Sequence, residues 1–185
     1  MKKYIAIAGV VLLVAIVIIF LVFSHQPSKG KIEPAKNLDS STTSQSKVET
    51  VETAYFTAPL PVGFVVKSNT ENASPETMIQ VVATKPQSQG EQIAITLGTL
   101  PSDGLAGVSS YNLRIKNPDT YKQIEYGGLP ANSPTFHSDN GTNYEVTVFL
   151  THASLYAVVS VSGISADASN INQVLESTIG NWKWH

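Results

Sequence analysis

Nineteen consecutive residues near the start of the chain, IAIAGVVLLVAIVIIFLVF at positions 5–23, contain no charge, no proline and no polar side chain. At 1.5 Å per residue, a helix of that length spans roughly 28 Å, about the hydrocarbon thickness of a bilayer. Only as a helix can a single segment satisfy its backbone polar groups there. A cleavable signal peptide has a shorter apolar centre of about 7–15 residues, followed by a small-x-small site. This run instead ends on Ile19, Phe20, Leu21, Val22 and Phe23, and no such site follows. The sequence therefore predicts a retained transmembrane signal anchor over residues 1–23, which makes the membrane one partner of the chain. Lys2 and Lys3 lie close before the run, whereas Lys29 and Lys31 lie farther beyond it. That bias predicts a single-pass cell-membrane protein with its C-terminal part outside the cytoplasm. The reverse topology, with a cytoplasmic domain, is the alternative that so small a charge contrast leaves open.

Residues 24–50 hold only Ile32, Leu38 and Val48 as sizeable apolar side chains, together with two prolines and a run of hydroxyl residues. Such a segment cannot bury a core, and it reads as a flexible linker with a reach of roughly 30 Å. The remainder, residues 51–185, has the length of one domain with one core. Charge divides at the same place. Residues 1–50 carry six lysines against Glu33, Asp39 and Glu49, a net of +3, whereas residues 51–185 carry six basic against eleven acidic groups, a net of -5. Nucleic-acid binding requires a basic patch that releases counterions from phosphate, and this part has the opposite sign and a single arginine, Arg114. No nucleic-acid partner is expected. The absence of cysteine excludes disulfides, thiolate metal sites and a cysteine nucleophile.

Beyond the linker the apolar period becomes two. Tyr144, Val146, Val148 and Leu150 alternate with Asn143, Glu145 and Thr147, and Leu155, Ala157, Val159 and Val161 follow after Thr151–Ser154. The pattern predicts a hairpin ended by Gly163. Further strands are expected at 55–58, 64–67, 78–84, 92–97, 121–126 and 135–138, separated by turns too short for parallel crossovers. Near the C-terminus Ile171, Val174, Leu175, Thr178, Ile179 and Trp182 recur at helical spacing, with Ser165 or Asp167 as the cap. A second helix is expected over 105–116, with Val108, Tyr111 and Ile115 on its inner side and Asn117-Pro118 ending it. The expected fold class is α+β, a mainly antiparallel sheet with two helices packed on it, preceded by one transmembrane helix and a disordered linker.

Chemical motifs are sparse. A nucleophilic serine sits on a sharp turn of the G-x-S-x-G type, and Gly107-Val108-Ser109-Ser110-Tyr111 lacks the second glycine that such a turn needs. His137 and Asp139 share a face at strand spacing, and with His152 they form the polar group from which a site is most readily drawn. The bland reading makes His137 a turn-flanking surface residue and His152 a hairpin-tip residue, and no H-E-x-x-H pair points to a metal. No catalytic residue, metal ligand or cofactor is assigned. Most aromatic residues belong to core or sheet packing, whereas Trp184 follows the helical stripe by two residues and is the candidate partner contact.

Two stretches carry a family resemblance. The segment Tyr55-Phe56-Thr57-Ala58-Pro59-Leu60-Pro61-Val62-Gly63-Phe64 gives a strand, a proline-glycine turn and an aromatic; near the end, Tyr156-Ala157-Val158-Val159 leads into a helix carrying Ile171, Val174, Leu175 and Ser177. Together they resemble the PsbP/Mog1 type of α/β/α sandwich over residues 54–182. The resemblance implies a noncatalytic binding role with a protein partner; it places no functional residue, and the N-terminal anchor departs from the soluble members. The leading expectation is a membrane-held binding or accessory domain outside the cytoplasm. A tethered hydrolase working through His137, Asp139 or His152, and a self-associating structural envelope component, are the alternatives.

Overall fold

The computed structural model describes residues 48–74, 76–125, 127, 129 and 133–185. The expected anchor, and the expected linker up to residue 47, lie outside the described residues. Among the described residues no helix is long and apolar enough to cross a membrane.

The strands are β1 (Thr50–Glu52), β2 (Phe56–Pro59), β3 (Val65–Ser74), β4 (Thr77–Thr84), β5 (Gln92–Thr99), β6 (Lys122–Ile124), β7 (Thr135–Asp139), β8 (Asn143–His152), β9 (Leu155–Ile164) and β10 (Lys183–Trp184). The helices are α1 (Ser109–Lys116) and α2 (Ala168–Gly180). The strands form a three-stranded sheet ordered β1-β2-β10 and a seven-stranded sheet ordered β3-β4-β5-β9-β8-β7-β6. Every pairing is antiparallel. The expected α+β class with a mainly antiparallel sheet is the observed one.

The alternation of β8 and β9 builds two cores. Val146, Val148, Leu150, Ala157, Val159 and Val161 point to one face and are buried there with Ile79, Val81, Ile93, Ile95 and Leu97. That face is covered by α2, through Ile171, Val174, Leu175 and Ile179, and by Val51, Phe56 and Ala58 of the small sheet. Phe149, Tyr156 and Val158 point the other way and pack with Val108 and Phe136, half-covered by Leu105, Tyr111 and Tyr121. Tyr111, Phe136 and Phe149 meet edge to face at centroid distances of 5.3–6.0 Å, the arrangement that ring quadrupoles favour. The result is three layers: α2 with the small sheet, the large sheet, and the α1 segment.

Several expectations change in detail. The hairpin turns within two residues, Ala153-Ser154, and Ala153 takes φ of +50°. Gly163 does not end the hairpin; it pairs with Tyr144 inside β9, and a Cβ there would lie 3.0 Å from Ile171 Cδ1. The expected helix over 105–116 is split, because a 3-10 turn at Gly104–Gly107 stops before Val108, whose extended backbone starts α1 afresh. Its inner side is also different: Val108 is buried and Tyr111 half-buried, but Ile115 is exposed and Arg114 is buried in its place. Asp167 stands at the N-cap of α2 without a side-chain cap bond, and Ser165 donates instead to Asp139 Oδ1 at 2.6 Å. The strand expected over 64–67 extends to Ser74, and that over 121–126 contracts to Lys122–Ile124. Ordered pairing begins ahead of residue 51, since Thr50 pairs with Pro59 and Leu60 N–H donates to the Glu49 carbonyl.

Candidate functional site

The chain's one arginine lies between α1 and β8. Arg114 is only 8% exposed, so its charge needs a partner, and Nη2 donates to Glu145 Oε1 at 2.6 Å and to Thr147 Oγ1 at 3.0 Å. Nη1 donates to the Ser110 carbonyl at 3.1 Å. The guanidinium stands 5.0 Å from the Tyr121 ring centroid and 5.6 Å from that of Phe149, within cation–π range. Thr147 in turn donates to Glu145 Oε1 at 2.7 Å, so its proton is committed and the Ser160 hydroxyl, 2.7 Å away, is the donor between those two. Of the three Arg114 nitrogens, Nε alone is buried without a hydrogen-bond partner.

Beside this network lies a cavity of about 280 Å³ whose walls include Thr96, Ser109, Ser110, Arg114, Tyr156 and Ser160, with Glu76 also contributing. A second cavity of about 260 Å³ shares Glu76, Val108, Ser109 and Tyr156 and adds Met78 and Pro101. Tyr156 can lie between them because its register partner is Gly98; a Cβ at Gly98 would be 2.6 Å from Tyr156 Cε1 and from the Glu76 carbonyl oxygen. Burial, reinforced by the Glu76 carboxylate, raises the Tyr156 pKa above its ordinary 10.0, so the phenol is a neutral donor at physiological pH. The N-terminus of α1 is also at this wall. Its N-cap, Val108, has no side-chain acceptor, and the Val108 carbonyl takes the amides of Tyr111 and Asn112. The amides of Ser109 and Ser110 are the two of the first turn left for another acceptor.

The residues singled out from sequence lie elsewhere. His137 and Asp139 do share a face of β7, and the His137 ring is 5.7 Å from that of Tyr144. Asp139 accepts from the Ser165 hydroxyl at 2.6 Å and from the Gly141 amide at 2.9 Å. These bonds, the Ser165 one foremost, hold its pKa below the ordinary 3.8, with the His137 charge a smaller contribution. His152 is not with them: His137 pairs with Val146, and six further residues of β8 to His152 amount to roughly 20 Å. Among the described residues no three His, Cys, Asp or Glu side chains stand close enough to hold one metal ion.

His152 instead meets Trp184. Their rings stack with centroids 5.5 Å apart and an interplanar angle of 13°. Trp184 is half-buried; it pairs with Phe56 in β10 and meets Trp182 edge to face at 5.3 Å, while Trp182 stacks on Phe56 at 4.3 Å. His185 N–H donates to the Tyr55 carbonyl at 2.9 Å, and its Nε2 is 2.8 Å from Thr57 Oγ1. The end of the chain is thus stitched into the small sheet, with the outer part of Trp184 and His152 facing solvent. The cleft beside Arg114 escaped sequence reading because its walls come from residues 76, 96, 109, 114, 156 and 160. The single visible signal was an arginine among the apolar positions of a short helix.

No family model matches the chain, and no curated protein matches it in sequence. Solved structures do match in shape. The solution structure of cyanobacterial PsbP (CyanoP) from Synechocystis sp. PCC 6803 covers 80% of this chain and 98% of its own, with 11% identity and a TM-score of 0.53. The Ran-binding protein Mog1p of Saccharomyces cerevisiae covers 75% of this chain and 96% of its own, with 14% identity and a TM-score of 0.50. The domain therefore has a PsbP/Mog1-like fold, as the two sequence stretches implied.

Proposed function

We propose that the chain is a single-pass membrane protein that presents a noncatalytic binding domain outside the cytoplasm, with a protein partner contacted through the Trp184 end. The observation that carries this reading is the joining of a 19-residue apolar run to a domain whose candidate catalytic side chains stand apart. His152 lies roughly 20 Å from the His137–Asp139 pair, too far for a shared proton transfer. The fold supports it as well, since the same architecture serves a Ran-binding protein in yeast. Residues 1–23 act as the anchor and residues 24–50 as the tether, with a reach of roughly 30 Å. Trp184 offers a large, rigid aromatic surface at the end of the small sheet, the type of side chain that dominates binding energy at interfaces.

The test is a photoreactive phenylalanine analogue installed in place of Trp184 in the full-length chain, irradiated in cells. One discrete adduct with a membrane or envelope protein, lost when the analogue replaces the exposed Ser177 instead, supports the reading. Absence of any adduct at position 184 overturns the partner contact. Release of the chain from membranes by alkaline carbonate overturns the anchor.

A further inference from the structure

We propose that the open edge of β1 pairs with the same edge of a second copy of this chain, antiparallel and centred on Thr50, so that two small sheets join into one. This rests on the anchor reading, because anchoring is what gathers copies of the domain. It deepens the binding reading by giving one assembly two Trp184 ends.

The direction of each backbone group follows from the β1–β2 ladder. The Glu49 carbonyl accepts from the Leu60 N–H, and the Thr53 N–H donates to the Phe56 carbonyl. Glu49 and Thr53 therefore turn their backbone groups toward β2, and so does Val51 between them, because these groups alternate along an antiparallel strand. Thr50 and Glu52, with Val48 ahead of them, turn their N–H and C=O groups the other way. Pro59 stands opposite Thr50, at a position where the ladder needs no N–H. β1 is the end strand of the three-stranded sheet, and Val48, Thr50 and Glu52 are all exposed. Their backbone groups form an open row, and such a row is a template for a further strand. The other edges are shorter or guarded. β10 and β6 have two and three residues, and β3 carries register shifts at Val66/Ser68 and Glu71/Ser74. The β1 register runs without a shift.

The row is self-complementary in one register. A two-fold pair brings the same patch of both copies together, and bonds form only where outward residues face outward residues. Centred on Glu49 or on Glu52, the pair sets that carboxylate against its own copy, which destabilises a sheet. Centred on Val51, it sets Val48 against Ala54, beyond the end of β1. Centred on Thr50, it matches all three outward residues of each copy with one another: Thr50 faces Thr50, a pair that sheets favour, and Val48 faces Glu52 at both ends. So short an edge buries far less than the roughly 1,200 Å² of a stable interface, and pairing in dilute solution is weak. Copies anchored in one membrane meet at a much higher effective concentration, and tethers with a reach of roughly 30 Å allow their domains to touch. In the joined sheet, ordered β10-β2-β1-β1-β2-β10, the two β10 strands lie about 24 Å apart. One assembly then holds two Trp184 contacts and gains avidity for a partner.

The chain has no cysteine, so a single introduced one reports its own contact. Thr50→Cys is placed in the full-length chain, in native membranes, and oxidised with copper phenanthroline. At the centre of the pair the two Cα atoms are about 5.5 Å apart, within disulfide range, whereas Glu52→Cys is displaced from its own copy by roughly 13 Å along the strand. The expected result is a covalent dimer of Thr50→Cys, with about tenfold less from Glu52→Cys and from Ser177→Cys on the exposed side of α2. Adding Glu52→Pro to Thr50→Cys removes one outward N–H, which a sheet edge tolerates, so it lowers the dimer yield about tenfold while the Tm of the reduced protein stays unchanged. Absence of a Thr50→Cys dimer overturns the proposal, as do equal yields at the three positions, a disulfide to a different protein, or a yield that Glu52→Pro leaves unaltered. Carbonate extraction and the crosslink at position 184 read the anchor and the partner contact separately.

Discussion

The Arg114–Glu145 pair is asymmetric, and the asymmetry predicts which half is costlier to remove. The Arg114 side chain is 9% exposed and that of Glu145 34%. Glu145→Gln keeps an oxygen for the Nη2 bond but leaves a buried guanidinium without its counter-charge, a change that costs about 3 kcal/mol when a buried pair is broken from one side. Arg114→Met removes the charge and keeps much of the stem that packs between Tyr121 and Phe149. It strands only a carboxylate that water already reaches, so about 1–2 kcal/mol is expected. The double replacement Arg114→Met with Glu145→Leu should return to within about 1 kcal/mol of the parent, because an apolar pair of similar volume replaces an ion pair that cost much to desolvate. Both tryptophans of the chain, Trp182 and Trp184, lie in this domain, so intrinsic fluorescence follows its unfolding even in the full-length protein. At about 4 °C per kcal/mol for a domain of this size, Glu145→Gln should lower Tm by about 12 °C and Arg114→Met by about 4–8 °C. Equal losses, or a larger loss for Arg114→Met, would show that burial of the guanidinium does not set the cost.

Other perturbations read other layers. Leu175→Ala, at a fully buried position on α2, should cost about 2–5 kcal/mol in the same assay, whereas Ser177→Ala on its exposed side should stay within about 0.5 kcal/mol. Gly98→Ala drives a methyl against the Tyr156 ring and the Glu76 carbonyl and should cost about 1–3 kcal/mol, read as a drop in Tm. Asp139 should titrate by carboxyl NMR below its ordinary value, and Ser165→Ala should move it upward. Because its folded pKa is the lower one, the stability it gives is present above the unfolded carboxylate value and lost as pH falls through the folded one. Tyr156 has the opposite sign: its contribution is complete below the unfolded phenol value of 10.0 and lost as pH rises through the raised folded value. Glu76→Gln should lower that folded value only partly, because burial is the larger cause.

The parts of the fold that can be read from sequence are those whose own residues carry the period. Tyr144 to Leu150 alternate, and Ile171 to Ile179 recur at helical spacing, because one face of each lies on the main core. Strand β3 shows little of itself in the sequence for the opposite reason: VVKSNTENAS is exposed along nearly its whole length at the sheet edge, and its register shifts at Val66/Ser68 and Glu71/Ser74. With no buried face there is no alternation to see, and such bulges are the devices that keep an edge from pairing with another chain. β1 and β10 are too short to show a period and exist because β2 pairs with them on both sides. Trp182 followed the helical stripe by spacing, yet the helix ends at Gly180 and the indole reaches Phe56 instead. The burial of Arg114 is not legible in the sequence, since a lone arginine normally marks a surface, and its counter-charge and hydroxyl partner, Glu145 and Thr147, lie 31 and 33 residues away.

The proposed function requires a binding domain held outside the cytoplasm by an anchor that is kept. Protease shaving of intact cells, followed by intact mass measurement of what stays in the membrane fraction, tests both halves at once. The expected result is a retained fragment that begins at Met1 and includes Phe23, with residues 51–185 digested or released. A mature chain that begins near Ser24 would rule out the anchor, and a domain protected from protease until the cells are broken would place it on the cytoplasmic side.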